Sequence, residues 1–241
     1  MGLHEEAVRG DEPRFPVVEC FTSVNGEGTH AGRLAAFVRF KGCNLACSYC
    51  DTMWANRPDA EAQMMTVSEI VTFVDESPAM CVTLTGGEPL LQPGIDQIIK
   101  ALLVDPDRFV EIETNGAVSL AQFVDLRRGY GCDAVGRLAF TMDCKLPSSG
   151  MYDRMIWGNY DLLSLQDTVK FVIGDEDDLE AALHVIERYD LTWRCNVYFS
   201  PVFGEMDPAR IVDFMQEHRL SQATLQLQLH KIIWPNVDRG V

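Results

Sequence analysis

Three cysteines lie close together in the sequence, at the spacing C-x3-C-x2-C. They are Cys43, Cys47 and Cys50, and they follow directly on the strand-like run AAFVRF at 35–40. Thiolates this close in one loop can converge on a metal centre. A structural zinc site usually takes four ligands, often from two cysteine pairs, and the sequence holds no matching second pair. Three cysteines suit a cubane iron–sulfur cluster, in which one iron has no protein ligand and is open to another molecule. The alternatives are a zinc site completed by a distant residue, or a loop of unrelated thiols.

A glycine-rich segment at the end of another strand could add a ligand-binding surface. Thr85-Gly86-Gly87-Glu88-Pro89 follows the run CVTLT at 81–85. Glycines let the backbone approach a ligand closely, and Glu88 could add polar contacts. Alone, the segment is equally typical of a strand-to-helix turn. The same holds for Glu113-Thr114-Asn115-Gly116, which ends a further strand.

The elements that must position these groups are strands alternating with helices. The predicted strands are short and mostly rich in β-branched or aromatic residues, and they cover 17–21, 35–40, 81–85, 109–114, 138–142, 168–173, 196–200 and 224–229. The predicted helices cover 66–76, 94–103, 176–190 and 207–218. Thr66 and Glu69 have the spacing of a capping box, and Asp207 before Pro208 is typical of a helix start. Alternation of this kind predicts an α/β fold with mostly parallel strands, as an open sheet or a barrel.

Length and composition set the frame for this fold. The chain has 241 residues, 47% of them hydrophobic and 23% charged, and a net charge of −16. We predict a polar leader at 1–14 and a single domain at 15–241. The acidity argues against nucleic acid as a partner. The sequence has no apolar run of the ~20 residues that a membrane helix needs, and the N-terminus lacks the pattern of a signal peptide. We therefore expect a cytoplasmic protein, without membrane partners, whose eight cysteines are thiols or metal ligands.

The cysteine triad and the glycine-rich segment together resemble the radical S-adenosylmethionine (SAM) superfamily. The resemblance implies an incomplete, TIM-like β/α barrel of about six core parallel strands. It also implies a 4Fe–4S cluster bound by Cys43, Cys47 and Cys50, with SAM on the open iron. In that superfamily an electron from the cluster breaks a C–S bond of SAM. The resulting 5′-deoxyadenosyl radical removes a hydrogen atom from the substrate.

Three further segments resemble the enzymes within that superfamily that form 7-carboxy-7-deazaguanine for queuosine and related deazapurines. They are Phe21–Arg33, Phe37–Cys43 together with Cys50-Asp51-Thr52, and Leu225–Lys231, so the resemblance spans about residues 17–235. It implies a lyase that contracts the ring of 6-carboxy-5,6,7,8-tetrahydropterin and releases ammonia. Two departures stand out. Asn25 occupies a position where that family usually has Gln, and the tail IIWPNVDRGV is longer than in shorter members, which puts a terminal-carboxylate contact to the substrate in doubt.

The resemblance also assigns residues to the ligands. The substrate contacts it implies are Val24, Asn25, Gly26, Glu27, Arg39, Thr85 and His230. The SAM contacts it implies are Tyr49, Gly87, Glu88, Glu113, Asp143, Cys144, Lys145 and Ser200. Thr52 would bind a Mg²⁺ that also holds the substrate carboxylate, although a threonine there could equally be a helix N-cap. Arg39 interrupts an apolar strand, and its guanidinium can pair with a carboxylate through two hydrogen bonds. Arg33 is the reserve candidate. We expect His230 at the end of a strand.

Other functions stay open at this point. A glycyl-radical enzyme activase is also short and also carries C-x3-C-x2-C, but it acts on a protein. A zinc or iron–sulfur binding module without enzyme activity is the second alternative. The resemblance further implies an electron donor, such as a flavodoxin or ferredoxin, and a homodimer.

Overall fold

A computed structural model describes residues 12–131, 136–237 and 239–241. The strands are β1 Arg14–Val24, β2 Leu34–Phe40, β3 Gln63–Thr66, β4 Cys81–Gly86, β5 Phe109–Thr114, β6 Leu138–Cys144, β7 Thr168–Ile173, β8 Asn196–Pro201 and β9 Ala223–Leu225. The α-helices are α1 Met53–Asn56, α2 Val67–Glu76, α3 Ile95–Leu102, α4 Ala121–Gly129, α5 Glu176–Tyr189, α6 Leu191–Arg194, α7 Pro208–Glu217 and α8 Leu229–Ile233. None of these helices is long and apolar enough to span a membrane.

The strands form one mixed sheet in the order β3-β1-β2-β4-β5-β6-β7-β8-β9. From β2 through β4, β5, β6, β7 and β8 to β9 every neighbouring pair is parallel, and β1 and β3 add an antiparallel edge. The two ends of the order do not pair, so the barrel is incomplete. The predicted α/β fold with about six core parallel strands is confirmed.

The two faces of the sheet differ in chemistry. One face carries residues such as Val38, Leu84 and Phe140, which pack with the helices into the main core. Strands of a parallel sheet that is covered by helices read as nearly continuous apolar runs, which explains why the sequence predicts them well. The other face, on the inside of the curve, carries polar residues. Thr83, Glu111 and Lys170 lie there although each is less than a tenth exposed.

The helix starts follow the predicted local chemistry. Thr66 and Glu69 form the reciprocal capping box at the start of α2, and Asp207 caps α7 through the amide of Ala209. The structure adds elements that the sequence did not predict, notably β3 and α4.

Two predictions need correction, and two fall partly outside the described residues. The last predicted strand, 224–229, ends at Leu225, and α8 begins at Leu229. His230 therefore lies in a helix and not at the end of a strand. The amide of Trp234 donates to its carbonyl at 2.8 Å. β1 already begins at Arg14, the last residue of the predicted leader, and residues 1–11 of that leader lie outside the described residues. Cys132, one of the eight cysteines predicted to be thiols or metal ligands, also lies outside them.

Candidate active site

A cavity of about 460 Å³ opens at the carboxyl ends of the parallel strands. The segments that follow five of the parallel strands contribute to its wall: the cysteine loop after β2, Gly87 after β4, Asn115 after β5, Lys145 after β6 and Val202 after β8. Functional groups of β/α barrels and open α/β sheets gather at this end because the connecting loops meet there.

The cysteine loop brings all three thiols of the triad to this cavity. The Cys43 sulfur accepts hydrogen bonds from the Leu45 amide and from Asn115 Nδ2, both at 3.4 Å. Burial raises the pKa of Cys43 and of Cys47, and Lys145 acts against this rise at Cys47. A buried thiol that needs an added positive charge to ionise suits a metal centre.

The spacing of these thiols bears on the kind of centre. Among the described residues, no three His, Cys, Asp or Glu side chains stand close enough together to hold one metal ion. A cubane cluster makes a different demand, since each of three irons takes one thiolate. N–H donors directed at the Cys43 sulfur, as seen here, also suit a cluster, because such hydrogen bonds tune its potential. The residues present therefore fit a 4Fe–4S cluster.

The glycine-rich segment is held tightly against the cysteine loop. The amide of Glu88 donates to the Gly42 carbonyl at 2.8 Å, and the amide of Gly87 to the Phe40 carbonyl at 3.0 Å. A Cβ atom at Gly87 would lie 2.0 Å from the Gly42 oxygen, so no larger residue fits. The sequence motif is thus a close approach of two backbone segments, which presents Gly87 to the cavity.

Glu88 itself lies behind the cavity wall. Its side chain is fully buried and accepts from the Leu90 amide, the Asn115 amide and Thr114 Oγ1, at 2.7–3.0 Å. Burial raises its pKa to about 7, against these three hydrogen bonds. The carboxyl group is therefore occupied by protein partners, and it fixes Asn115, which in turn contacts Cys43. In this structure the Glu88 carboxylate positions Asn115, and a contact of Glu88 with SAM stays a prediction.

A row of charged side chains crosses the cavity floor. Lys145 Nζ donates to Asp143 Oδ2 at 2.5 Å, and Lys170 Nζ contacts both Glu27 Oε2 at 2.5 Å and Asp143 Oδ1 at 3.2 Å. Burial alone would raise the pKa of Asp143, but Lys145 and Lys170 outweigh it and hold the pKa below its ordinary value. Burial would likewise lower the pKa of Lys170, but Asp143 and Glu27 raise it well above the ordinary value. Asp143 and Lys170 are therefore charged.

The loop after β1 places Glu27 beside the cavity. The Asn25 amide group donates to Glu111 Oε2 at 2.8 Å and accepts from the Glu27 backbone at 3.3 Å. Gln226 holds the other side of the loop, since its side chain accepts from the Gly28 amide and donates to the Gly28 carbonyl. Glu27 is 8% exposed, and its Oε1 has no hydrogen-bond partner among the described residues. This buried acceptor is available to a ligand.

Asn25 lines the cavity, and its side-chain amide is engaged with Glu111 and with the loop backbone. The side chain therefore positions the loop in this structure. A contact of Asn25 with the substrate stays a prediction.

Arg39, Thr52 and His230 line the same cavity. Arg39 Nε donates to Glu19 Oε1 at 2.7 Å, and both side chains are mostly buried. Arg39 is therefore not an exposed arginine at the edge of a strand. Thr52 precedes α1, yet its side chain makes no capping hydrogen bond; its Oγ1 lies 3.7 Å from the Cys50 sulfur. Burial lowers the pKa of His230, against Glu27 and Asp51. The imidazole is thus neutral near pH 7 and offers one donor and one acceptor.

Nearly all candidate site residues from the sequence line this cavity; the exceptions are Glu88, Cys144, Ser200 and the reserve candidate Arg33. Cys144 points to the opposite face of the sheet, into the main core, where burial raises its pKa to about 12. Its side chain cannot contact SAM in the cavity. Ser200 is 1% exposed, and its Oγ has no partner among the described residues.

Four residues of this site were missed by the sequence analysis: Lys170, Glu111, Asn56 and Gln226. Lys170 interrupts the apolar run TVKFVI at 168–173, which is the signal that singled out Arg39. Glu111 alternates with apolar residues in FVEIET in the same way. Gln226 alternates with leucines in TLQLQL at 224–229 in the same way. Asn56, whose Nδ2 lies 4.0 Å from the Cys50 sulfur at the cavity wall, carries no such signal. Val241 also reaches the cavity wall.

Comparisons with known proteins identify relatives of this chain. A sequence model of the Radical SAM superfamily matches residues 37–142. The 7-carboxy-7-deazaguanine synthase of Clostridium acetobutylicum is 46% identical over 227 residues, which cover 94% of this chain and 99% of that protein. The synthase of the same name from Chlorobaculum tepidum is 36% identical, over 95% of this chain and 99% of the relative. The crystal structure of QueE from Escherichia coli superposes with a TM-score of 0.66 at 19% identity, over 89% of this chain and 94% of that one.

Proposed function

The chain belongs to the 7-carboxy-7-deazaguanine synthase family of the radical SAM superfamily, and from this membership we propose how its cavity carries out the reaction. It is a radical SAM lyase that converts 6-carboxy-5,6,7,8-tetrahydropterin to 7-carboxy-7-deazaguanine with loss of ammonia, in queuosine biosynthesis. One observation carries the proposal: a single cavity is lined by the cysteine triad and by the loop that holds Glu27.

Cys43, Cys47 and Cys50 hold the 4Fe–4S cluster in this proposal. Gly87, Tyr49, Asp143 and Lys145, which line the cavity beside the thiols, hold SAM. When bound, the cluster and SAM together supply the radical that removes a hydrogen atom from the substrate. The protein contributes the shape of the cavity. Its backbone at Gly87 and the ion pair of Asp143 with Lys145 fix where SAM lies and keep water from the reacting atoms.

The pterin lies between Glu27, Thr85 and His230. A pterin edge carries N–H donors, and the unpartnered Glu27 Oε1 is an acceptor for them. The substrate carboxylate pairs with Arg39. Its Nε is held by Glu19, whereas Nη1 and Nη2 have no partner among the described residues. A guanidinium fixed at one edge presents its other edge for a two-point pair with a carboxylate.

Thr52 binds Mg²⁺ together with the substrate carboxylate. The support for this role is that Thr52 Oγ1 borders the cavity and is not used as a helix cap. A hydroxyl oxygen is a hard ligand, and Mg²⁺ commonly completes its shell with waters and substrate oxygens. Omission of Mg²⁺ should then lower the turnover rate of the wild type more than that of Thr52→Ala.

The remaining partners follow the family. An electron donor such as a flavodoxin or ferredoxin reduces the cluster, and the protein acts as a homodimer. We place the reaction in the cytoplasm, a reducing compartment, since the described cysteines are all free thiols.

An anaerobic turnover assay tests the proposal. The reconstituted wild type receives SAM, a strong reductant, Mg²⁺ and 6-carboxytetrahydropterin, and products are read by mass spectrometry. We expect 7-carboxy-7-deazaguanine from the wild type, none from Cys47→Ala, and a normal yield from Cys195→Ser, a buried cysteine outside the triad. SAM cleavage without this product would overturn the assignment of 6-carboxytetrahydropterin as the substrate. Zinc in place of iron, or activation of a glycyl-radical enzyme, would favour one of the two alternatives.

A further inference from the structure

Four charged side chains form one continuous row. It runs from Glu27 in the loop between β1 and β2, here called the substrate loop (residues 25–33), to Asp143 and Lys145 at the end of β6. Glu27 contacts Lys170, Lys170 contacts Asp143, and Asp143 contacts Lys145, at 2.5, 3.2 and 2.5 Å. All four line the cavity, and their side chains are 10–20% exposed. At this burial, charge interactions are screened less than at the surface.

The two ends of the row serve different ligands under the proposed function. Glu27 has one oxygen on Lys170 and leaves its buried Oε1 for the pterin. Asp143 and Lys145 line the same cavity as Cys47 and Tyr49 of the cysteine loop. Lys170 is the link between the two ends. It is held at that place by the sheet, because its Cα is the register partner of Asp143 on the neighbouring strand.

We propose that Lys170 couples substrate binding to SAM binding. It is a positioning residue in this role, and the inference rests on the proposed function. One ammonium group is shared by two carboxylates that belong to different ligand sites. A ligand that orders Asp143 on one side therefore also orders Lys170 and Glu27 on the other. The second ligand then finds its site already ordered, which makes its binding tighter. By linkage, the effect is the same whichever ligand binds first.

A purely structural role would leave a different trace. If Lys170 only neutralises Glu27 and Asp143, then its loss leaves Glu27 without an ion-pair partner and Asp143 paired with Lys145 alone. This would destabilise the fold and weaken each ligand alone. It would not alter the factor by which one ligand tightens the other. That factor therefore separates coupling from neutralisation.

The experiment is a calorimetric titration of the cluster-loaded protein without reductant, so that SAM is not cleaved. 6-Carboxytetrahydropterin is titrated anaerobically with and without saturating SAM, and the ratio of the two Kd values is the coupling factor. We expect a factor of about 5 or more in the wild type. Lys170→Met should bring it close to one. Thr83→Val is the matched control, because it changes a buried side chain on the same face of the sheet whose Oγ1 has no partner within the described part of the chain. It should keep the wild-type factor.

A second variant covers the case in which Lys170→Met does not fold. Glu27→Gln with Lys170→Met removes one charge of each sign and leaves the pair of Asp143 with Lys145 intact. Since Glu27→Gln weakens the binding of the pterin, the Kd of SAM is measured instead, with and without saturating pterin. We expect no tightening.

The titrations also separate the two proposals from each other. A wild-type coupling factor in Lys170→Met, or in the double variant with Glu27→Gln, would overturn the role of Lys170. Independent binding of the two ligands to the wild type would overturn it as well. A wild type that binds SAM but not the pterin would contradict the proposed function itself.

Discussion

The guanidinium of Arg39 binds a protein carboxylate through Nε, while the residue also lines the cavity. Glu19 holds its Nε at 2.7 Å, and the outer edge is left for the substrate carboxylate. Arg39→Ala should therefore raise the KM for the pterin by a factor equivalent to about 2–4 kcal/mol, because a buried charged pair is lost. Steady-state kinetics under anaerobic conditions measure this change. Glu19→Gln is the control: its amide oxygen still accepts from Nε, so the KM should change much less. An unchanged KM in Arg39→Ala would exclude Arg39 from carboxylate binding.

Glu113 is a partly buried carboxyl group on the cavity wall. Burial raises its pKa to about 7, against Lys170 and the hydrogen bond from Thr85 Oγ1 at 2.6 Å. The folded pKa lies above the unfolded value. The contribution of Glu113 to stability is thus fully present below the unfolded pKa and is lost as the pH rises through about 7. Infrared spectra should show a protonated-carboxyl band at pH 6 that fades above pH 7 and is reduced in Glu113→Gln.

The Glu113 band has a specific counter-test. Glu88 also has a pKa raised to about 7, so part of the band should remain in Glu113→Gln and disappear only when Glu88 is replaced as well. A band of unchanged intensity in Glu113→Gln would show that the Glu113 carboxyl is ionised throughout this pH range.

Single residues were predicted where the type conflicts with its neighbours in the sequence. Arg39 within an apolar strand is such a case, and the same conflict at Lys170 was available but not used. Glu88 shows the limit of this reasoning. Its motif indicates a ligand site, but only the fold shows that three protein donors consume its carboxylate. Partners from distant segments cannot be read from local sequence.

Among the elements, the loop between β1 and β2 depends on two glycines with similar backbones. Gly28 and Gly32 have φ values of +74° and +85°, so an alanine is strained at either position. A Cβ atom at Gly28 would lie 2.3 Å from Glu111 Oε1, whereas none of the surrounding atoms lies within 4 Å at Gly32. Gly28→Ala should therefore displace the loop and raise the KM for the pterin, with SAM affinity retained. Gly32→Ala should show the backbone strain alone. Equal KM values in the two variants would contradict the anchoring by Glu111.

The helices and strands that the sequence predicted are those with local signals. Buried parallel strands and capped helices were found, because their signals are local. The segment after β9 was not, since TLQLQL alternates like a strand for six residues although the parallel pairing with β8 stops at Leu225. Beyond that point α8 folds back and sets His230 Nδ1 2.8 Å from the position of a Cβ at Gly26. A tertiary contact of this kind overrides a local alternation. α4 was missed because the residue before it, Leu120, has no side chain that could cap a helix.

At the scale of the whole molecule, an ion pair on the far side of the main core fixes α4 against the sheet. Arg127 donates to both oxygens of Asp167, which also accepts from the Phe140 amide; Arg127 and Asp167 are 9% and 0% exposed in their side chains. Arg127→Met should lower the free energy of unfolding by about 3–5 kcal/mol, because it leaves a buried carboxylate unpaired. Anaerobic denaturant titrations followed by circular dichroism measure the loss.

The neighbouring residue provides the comparison. Arg128 lies in the same helix and pairs with Asp125, but both side chains are about two-thirds or more exposed. Arg128→Met should cost less than about 1 kcal/mol. Similar unfolding midpoints for the two variants would rule out the special weight of the Arg127 pair. In both variants the KM for the pterin should stay at the wild-type value, since neither arginine lines the cavity.

The clasp between Gln226 and Gly28 joins segments that are 198 positions apart. It has a consequence for the order of events during synthesis on the ribosome. Chains fold from the N-terminus as they emerge, so the cysteine loop and the first strands are exposed long before residue 226 is made. A nascent or truncated chain could therefore acquire its cluster while the substrate loop still lacks its partner. A premature stop codon before residue 226 would leave the three cluster cysteines in place but remove the side chain that holds Gly28.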